Sequence, residues 1–523
     1  MASFGIMNED GTSNFDRDAN LPLHEEYKTH IQRWHFLINS YMGGDQYRQG
    51  GYLTKYTYES ANDYIQRISQ TPLDNHVKNV VHIYNSFLYR NQPKRDFGSL
   101  DGSPEVENFL EDCDMEGRTW ESFMRDVNLM SSIYGHCVVL LDRPETAVGT
   151  RAEELEQGIR PYATMYTPQN ILDWNFTRMS NGHYKLDYVR FLERDDRTYG
   201  HDTNLFVRTW TPTEITLEAF YPKNKQERSK LIESKPNLLG EIPAVWVYAN
   251  RSPIRGIGIS DVNDICDLQN FLYQLYSEAE QLVRISNHPT LVKTPETEAS
   301  AGAGSIISMP RDTDAGLKPY LLQPNGQNLE QILNTIDSTI KSIDRIAHLG
   351  AIRTLATREL SGVAMISEFY LLDSKLAEKA KQLELAEEQI WRIFAKWQGQ
   401  SFDGKIKYPN QFHIRDKAMD MDILKKITEA TKNLLGADED ITMIVKNKIK
   451  EIIANDEEEL EELNNMQPQQ EEDAPSTTME HPKMTSANIV AHMREMMEQG
   501  MTDEQIRSVH PELGGLNNDE TNE

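Results

Sequence analysis

The spacing of apolar positions changes twice along the chain. Residues 73–88 and about 106–133 carry them at intervals of three and four, which predicts two helices, the first of them stopped by Pro93. Residues 137–142 form a short apolar strand, and 160–249 contain further strand-like runs separated by Gly, Asn, Asp and Pro. The first half of the chain is therefore predicted to be mixed α and β.

The second half of the chain is predominantly helical. One amphipathic helix is predicted over 262–288, a second has its apolar stripe over 329–347, and a third carries apolar residues at helical spacing over 369–397. Between the first two lies a segment, 290–327, that is rich in Pro, Gly, Ser and Thr and contains two short strand-like runs. The predicted fold class is α+β and helix-rich.

The composition bounds the size and the partners of the protein. The chain has 523 residues, which corresponds to three or four domains or to one large subunit with several lobes. It carries 82 Asp and Glu against 54 Lys and Arg, a formal net charge of -28. This charge disfavours tight binding of nucleic-acid phosphates or of an anionic membrane. Residues 455–482 contain ten acids and neither Lys nor Arg, which is typical of a solvated linker.

Cysteine usage and the lack of long apolar runs indicate a soluble protein of a reducing compartment. Cys113, Cys137 and Cys266 lie far apart and form no CxxC pair, so no disulfide framework is predicted. The N-terminus lacks the basic and apolar regions of a signal peptide. The longest uninterrupted apolar stretch, 242–249, is far shorter than the ~20 residues that span a bilayer.

The candidate catalytic and metal-binding motifs fail on their spacing. The chain has no P-loop, and His24 and His30 lie six residues apart, whereas a zinc-binding helix needs the i, i+4 spacing. His136 and Cys137 are adjacent on a predicted strand, so their side chains point to opposite faces and cannot act as base and nucleophile. Cys137 is interpreted as a small core side chain. No catalytic residue, metal or cofactor is predicted, and we expect a structural protein.

Five segments of the sequence point to a type of protein when they are read together, in their order along the chain. The first segment combines a glycine pair, Gly43-Gly44, with Tyr64 and Arg67. The third contains Trp174, and the last leads into the long helix through Ser361-Gly362. In this order the segments resemble the portal proteins of tailed bacteriophages, over roughly residues 40–430. The five segments are 43–94, 131–144, 166–176, 240–251 and 359–397.

The resemblance implies one subunit of a ring, usually a dodecamer, at a single vertex of a capsid. Double-stranded DNA would be packaged and ejected through this ring. The implied partners are further copies of the chain, the major capsid protein, the terminase large subunit and then head-tail adaptor or tail proteins, with no membrane. The implied location is the virion, and the host cytoplasm during assembly. The protein would not be an enzyme.

The resemblance also divides the chain into regions. A mixed α/β wing and a two-helix stem would be joined by a small clip, and a long wing helix would lead to a helical crown. The implied ranges are 1–257 (wing), 258–288 (first stem helix), 289–327 (clip), 328–348 (second stem helix), 349–362 (tunnel loop), 363–435 (long wing helix and return) and 436–523 (crown and acidic tail).

Two groups of residues follow from this division. In the tunnel loop, Arg353 and Arg358 are the basic groups expected to approach DNA phosphates, with Thr354 and Thr357 as weaker contacts. An intersubunit salt bridge with Glu359 or Glu368 is the alternative role for these two arginines. In the clip, the residues expected to meet partner proteins are Lys293, Glu296, Arg311, Asp312 and Lys318.

Two other interpretations stay open at this stage. The chain could be another oligomeric capsid or scaffolding protein without a DNA channel, or a cytosolic hydrolase whose site goes unrecognised. The net charge of -28 is compatible with a DNA channel because a conduit must let the duplex slide, and strong phosphate binding would arrest it.

Overall fold

The structure, a computed structural model, describes most of the chain up to residue 412. The described residues are 21–144, 158–194, 205–220, 229–287, 290–293, 311–312, 314, 316, 318–322, 326–350, 362–410 and 412. They belong to the first of two compact units, Met1–Met419, and the second unit, Asp420–Glu523, lies outside them. The region predicted as crown and acidic tail is therefore outside the described residues.

Within the described residues, which begin at residue 21, four helices precede the first strand. The first buries Tyr27, Ile31, Trp34 and Leu37, whose spacing of three and four is helical although the surrounding sequence is polar. Ser60 and Asn75 begin the third and fourth helices by accepting hydrogen bonds from backbone N–H groups three residues later. These elements are α1 (Glu25–Met42), α2 (Gly44–Gln49), α3 (Ala61–Gln70), α4 (His76–Leu88) and β1 (Lys94–Asp96).

The stretch that the sequence predicts as one helix over 106–133 is two helices, so that prediction was wrong in its continuity. They are α5 (Pro104–Glu111) and α6 (Trp120–Tyr134). The turn between them forms because the Asp112 carboxylate accepts a hydrogen bond from the backbone N–H of Gly117, 2.8 Å away, and Gly117 has a φ of +88°. Thr119 then caps α6 through its side chain.

Two antiparallel sheets confirm the mixed α/β character of the first half. In the three-stranded sheet the central strand is almost completely buried, which explains its uninterrupted apolar sequence. This sheet has the order β3-β2-β9, and consists of β2 (His136–Asp142), β3 (Tyr162–Tyr166) and β9 (Ala244–Tyr248).

The five-stranded sheet is a meander in which each strand pairs with the next along the chain. The sequence does not predict its last strand, because nearly every residue of that strand is exposed and no alternation marks it. The strands are β4 (Ile171–Arg178), β5 (Tyr184–Arg194), β6 (Leu205–Trp210), β7 (Glu214–Phe220) and β8 (Ser229–Pro236).

The second half contains the three predicted long helices. The first begins five residues later than the start of its implied region, because residues 258–259 pair as a strand instead. The second begins two residues earlier than implied. These elements are β10 (Asn250–Arg251), β11 (Gly258–Ile259), α7 (Asn263–Asn287), β12 (Thr290–Val292), β13 (Tyr320–Leu322), α8 (Gly326–Ile346), α9 (Gly362–Trp397) and β14 (Lys405–Lys407).

Helix α9 is the longest of the described elements, with 36 residues, and it packs on both β9 and β2. Its predicted seam is confirmed, since Leu376, Leu383, Ile390 and Phe394 are buried. At its C-terminal end Trp391 lies in an aromatic cluster with the side chains of the α5–α6 region. The core thus connects the long helix to the N-terminal half of the chain.

Candidate channel and docking surfaces

Helices α7 and α8 pack against each other as a pair, which we call the stem. With 25 and 21 residues they are about 37 and 31 Å long at 1.5 Å per residue. The apolar stripe of α8 forms part of their contact side, where Ile336 and Ile343 are buried and Ile332 and Ile340 are half-buried. The sequence pattern predicted this stripe correctly.

The distal part of the stem is exposed. Within the described residues, no side chain of 278–287 in α7 or of 327–335 in α8 is buried. Val283, Ile285 and Leu333 are 43%, 46% and 53% exposed. Apolar side chains exposed together on long helices mark surfaces that another chain can cover. The stem therefore extends beyond the apolar core of its own chain.

A two-stranded ribbon connects the distal ends of the stem. Strands β12 and β13 pair antiparallel, with Val292 opposite Tyr320. This register places Lys293 and Lys318, both exposed, at the same end of the ribbon. Of the other residues predicted for the clip, Arg311 and Asp312 are exposed, and Glu296 lies outside the described residues.

A buried ion pair holds the proximal end of the stem. The ammonium group of Lys379 in α9 donates hydrogen bonds to the Asp261 carboxylate, two residues before α7, and to the Ser132 hydroxyl in α6. Asn250 donates a further bond to Asp261, 2.9 Å away. Burial, the largest single effect, would raise the pKa of Asp261, but the charges of Lys379 and Lys375 and the hydrogen bonds from Lys379 and Asn250 together leave the pKa below its ordinary value.

A second lysine of α9 connects to the end of α8. The ammonium group of Lys375 lies 3.3 Å from the hydroxyl of Tyr84, which in turn donates to the carbonyl of Ala347, 2.7 Å away. Burial lowers the pKa of Lys375. Ala347 directly follows α8 and precedes the region predicted as the tunnel loop by two residues. The chain therefore enters that region from a fixed point.

Neither lysine was predicted from the sequence. Lys379 and Asp261 are 118 residues apart, so no local motif relates them. A signal was nevertheless present, because Lys375 and Lys379 stand three residues after Leu372 and Leu376 on the apolar seam of α9. A charged residue on a buried helical seam requires a partner, and that requirement could have identified them.

The middle of α7 is held by Arg67 of α3, a residue of the first of the five informative segments. Its guanidinium donates to the Glu59 carboxylate at 2.7 Å and to the Ser277 hydroxyl of α7 at 3.0 Å. It also lies 4.1 Å from the centre of the Tyr56 ring. The hydrogen bonds from Arg67 hold the pKa of Glu59 below its usual value. Arg67 thus fastens the N-terminal region to the stem.

Two glycines allow close backbone contact where the stem begins. A Cβ atom on Gly258 would lie 2.1 Å from the carbonyl oxygen of Gly135, a distance too short for any residue with a side chain. The backbone N–H of Gly258 donates to Nδ1 of His136, which is buried beside it. Burial lowers the pKa of His136 to about 3, so the imidazole is neutral at physiological pH.

The residues considered for chemistry have structural environments. Cys137 is fully buried and donates to the carbonyl of Val127, which confirms its place in the core. Cys113 and Cys266 are also buried, and burial raises the pKa of each thiol to about 12. His24 caps α1 and stacks on Trp174. In the described part of the chain, no three His, Cys, Asp or Glu side chains form a group that could hold a metal ion.

The residues predicted for the DNA channel cannot be placed. Arg353, Thr354, Thr357 and Arg358 lie outside the described residues, between Gly350 and α9. Among the helices that are described, none is both long and apolar enough to cross a membrane.

Comparison with known proteins gives distant structural likenesses. No protein-family model and no curated protein sequence matches the chain. A chain in the solved structure "Neck of empty GTA particle computed with C6 symmetry" is 8% identical with a TM-score of 0.38, covering 71% of this chain and 90% of that one. A chain in "Virion of native gene transfer agent (GTA) particle" is 8% identical with a TM-score of 0.37, covering 79% of this chain and 98% of that one. TM-scores below 0.5 are too low to assign a fold or a function.

Proposed function

We propose that this protein is a structural subunit of a phage-like particle, and specifically a portal subunit that forms a ring around a DNA channel. The observation that carries the proposal is the stem. Two paired helices extend beyond their own core, are joined at one end by a ribbon, and lead directly through residues 351–361 into the longest helix. This is the order of elements that the resemblance to portal proteins implies.

A ring accounts for the exposed apolar side chains of the distal stem. Val283, Ile285 and Leu333 gain a partner surface when copies stand side by side. Closed rotational symmetry covers such surfaces on every subunit and leaves no open end. The number of copies in the proposal is twelve, as in most portals.

Each region takes the role that the resemblance implies. Residues 289–327 would contact the terminase and later the adaptor or tail proteins, with Lys293, Arg311, Asp312 and Lys318 on an accessible surface. Glu296 belongs to the same proposed group. The ring would stand at one vertex of the capsid with the crown inside the head, and residues 349–362 would face the channel.

Microscopy of the purified chain tests the proposal. We expect ring-shaped particles with an axial hole wide enough for a DNA duplex. Closed assemblies without an axial hole would favour a capsid or scaffolding protein instead. A chain that stays monomeric at all salt concentrations, or that turns over esters, nucleotides or phosphodiesters, would contradict the portal function.

The two arginines proposed for the tunnel loop are tested together. In the variant Arg353→Ala with Arg358→Ala, we expect DNA packaging or retention to fall while the ring persists. Arg392→Ala is a matched control, because Arg392 is an exposed arginine of α9 paired with Glu388. Loss of the ring in the double variant would assign the two arginines to an intersubunit contact.

A further inference from the structure

Two hairpins of the described structure carry positive charge without any carboxylate. Residues 177–186 connect β4 to β5, and residues 250–259 contain β10 and β11. Neither segment contains Asp or Glu, although the chain as a whole has 82 of them. Together the hairpins contribute Arg178, Lys185, Arg251 and Arg255. This local excess of cations opposes the net charge of the protein.

The arginines of the two hairpins are gathered around tyrosine rings. Arg178 pairs with Tyr184 across β4 and β5, so their side chains lie on the same face of the sheet. The guanidinium of Arg255 lies 3.6 Å from the centre of the Tyr184 ring. Arg251 lies 5.2 Å from the centre of the Tyr248 ring. We call Arg178, Arg251, Arg255 and Tyr184 the arginine surface.

The arginine surface is exposed and lacks internal counter-ions. Within the described residues, none of its three arginines makes an ion pair, whereas other arginines of the wing, such as Arg190 and Arg208, do. Tyr184 is 47% exposed, and the apolar side chains of Met179 and Ile254 beside it are also exposed. Exposed Arg, Tyr and Met are the residues enriched at protein–protein interfaces.

A surface of opposite character lies elsewhere on the same chain. Residues 105–116, in α5 and the turn after it, contain six acids and neither Lys nor Arg. Asp112 and Asp114 are paired with Arg160 and Arg118. Glu107, Glu111 and Glu116 are exposed and make no ion pair in the described structure. We call these three residues the acidic surface.

The arginine surface and the acidic surface lie near different points along helix α9. Arg251 donates to the side chain of Gln382, while Glu111 and Gln398 line the same cavity. Gln382 and Gln398 are sixteen residues apart, or about 24 Å along the helix. Two separate surfaces of opposite charge allow a head-to-tail contact, and such contacts generate a ring when the rotation between copies closes.

We propose that the arginine surface of one copy binds the acidic surface of a second copy. The inference rests on the proposed assembly of this chain into a ring. An assembly of subunits that each carry -28 requires complementary charges where they meet, because like charges facing each other oppose association. The two surfaces provide one positive and one negative side on every copy.

Charge reversal tests the pairing. In one variant, Arg178→Glu and Arg255→Glu reverse the arginine surface; in the other, Glu107→Lys and Glu111→Lys reverse the acidic surface. We expect each variant alone to lose assembly at least tenfold in the concentration required, measured by size exclusion with light scattering. A mixture of the two variants restores assembly, because alternating copies then meet with opposite charges at every contact.

The mixture also shows that both variants are folded. Lys185→Glu is a matched control, since Lys185 lies on the opposite face of β5 from Tyr184 and should leave assembly unchanged. Assembly of wild type should weaken with added salt, since exposed ion pairs are screened. Variants that assemble as wild type does, or that stay dissociated when mixed, would overturn the proposed pairing.

Two outcomes separate this inference from the portal function. If wild type forms rings and the reversed variants do so equally well, the pairing is wrong while the portal function stands. If charge-dependent assemblies form without an axial hole, the pairing stands while the portal function is wrong. Unchanged assembly with loss of binding to a labelled DNA duplex in the Arg178→Glu, Arg255→Glu variant would assign the arginine surface to nucleic acid and overturn the pairing.

Discussion

The two ends of the stem use charged residues in opposite ways. At the proximal end, Lys379 and Asp261 are buried and share hydrogen bonds with Ser132. At the distal end, Lys293 and Lys318 are exposed. A buried ion costs several kcal/mol unless it is paired, so the proximal charges fix one geometry. Exposed charges are screened by water and salt and leave the distal end available to other molecules.

Breaking the proximal ion pair should have the largest effect. Lys379→Met leaves the Asp261 carboxylate buried without its cation, and we expect the free energy of unfolding to fall by about 3–5 kcal/mol. Urea unfolding measures this change. Lys341→Met is the matched control, because it breaks an exposed pair with Asp337 and should cost less than about 1 kcal/mol. Equal losses in both variants would contradict the distinction between buried and exposed charges.

A methyl group at Gly258 should have the next largest effect. Its Cβ would lie 2.1 Å from the carbonyl oxygen of Gly135, so the two backbones must separate. We expect Gly258→Ala to cost about 1–3 kcal/mol, the range of overpacking substitutions. A Cβ on Gly316, in the region between the two stem helices, would meet no atom of the described residues within 4 Å, and Gly316→Ala should change stability by less than about 1 kcal/mol. A thermal melt of each variant compares them.

Acid should weaken the proximal end through His136. Burial lowers the pKa of this imidazole to about 3, against an ordinary value of 6.5. Between these two pH values the unfolded chain binds a proton that the folded chain does not, so stability falls as the pH is lowered. The contribution is about 1 kcal/mol between pH 6 and pH 5. The slope of stability against pH over this interval should be smaller for His136→Gln, and an unchanged slope would show that other groups cause it.

Substitutions at the distal end should have the smallest effect on stability. For Lys293→Ala with Lys318→Ala, we expect a change within about 0.5 kcal/mol, because both side chains are exposed. Under the proposed portal function, the same variant should bind the terminase or the adaptor more weakly, as a pull-down with the proposed ring would show. Destabilisation by more than about 1 kcal/mol would mean that these lysines support the ribbon rather than a partner.

The sequence correctly predicted those elements whose apolar positions recur regularly because one face of the element is buried. The seam of α9, the stripe of α8 and the uninterrupted apolar strand β2 were all visible, because each buries one regular set of positions. The break between α5 and α6 was missed, since its cause is a single turn stabilised by Asp112 and Gly117. Strand β8 was missed because its pairing with β7, and not its own burial, defines it.

The contacts at the proximal end depend on residues far apart in the chain. The partners of Lys379 lie 118 and 247 residues away, and those of Tyr84 and Gly258 are similarly remote. Periodicity indicates which face of a helix is buried, but not which residue will meet it there. The residues proposed to face DNA, Arg353 and Arg358, stay a prediction from resemblance, because they lie outside the described residues.

The burial of the three cysteines makes the protein a convenient background for site-specific labelling. All the native thiols are enclosed and have raised pKa values, so they react slowly with maleimide dyes. A single cysteine introduced in place of Lys293 would therefore be the dominant reactive group. In the proposed ring, a donor and an acceptor dye on neighbouring copies would then report the distance between distal ends by energy transfer, in real time and without removing any native residue other than the labelled one.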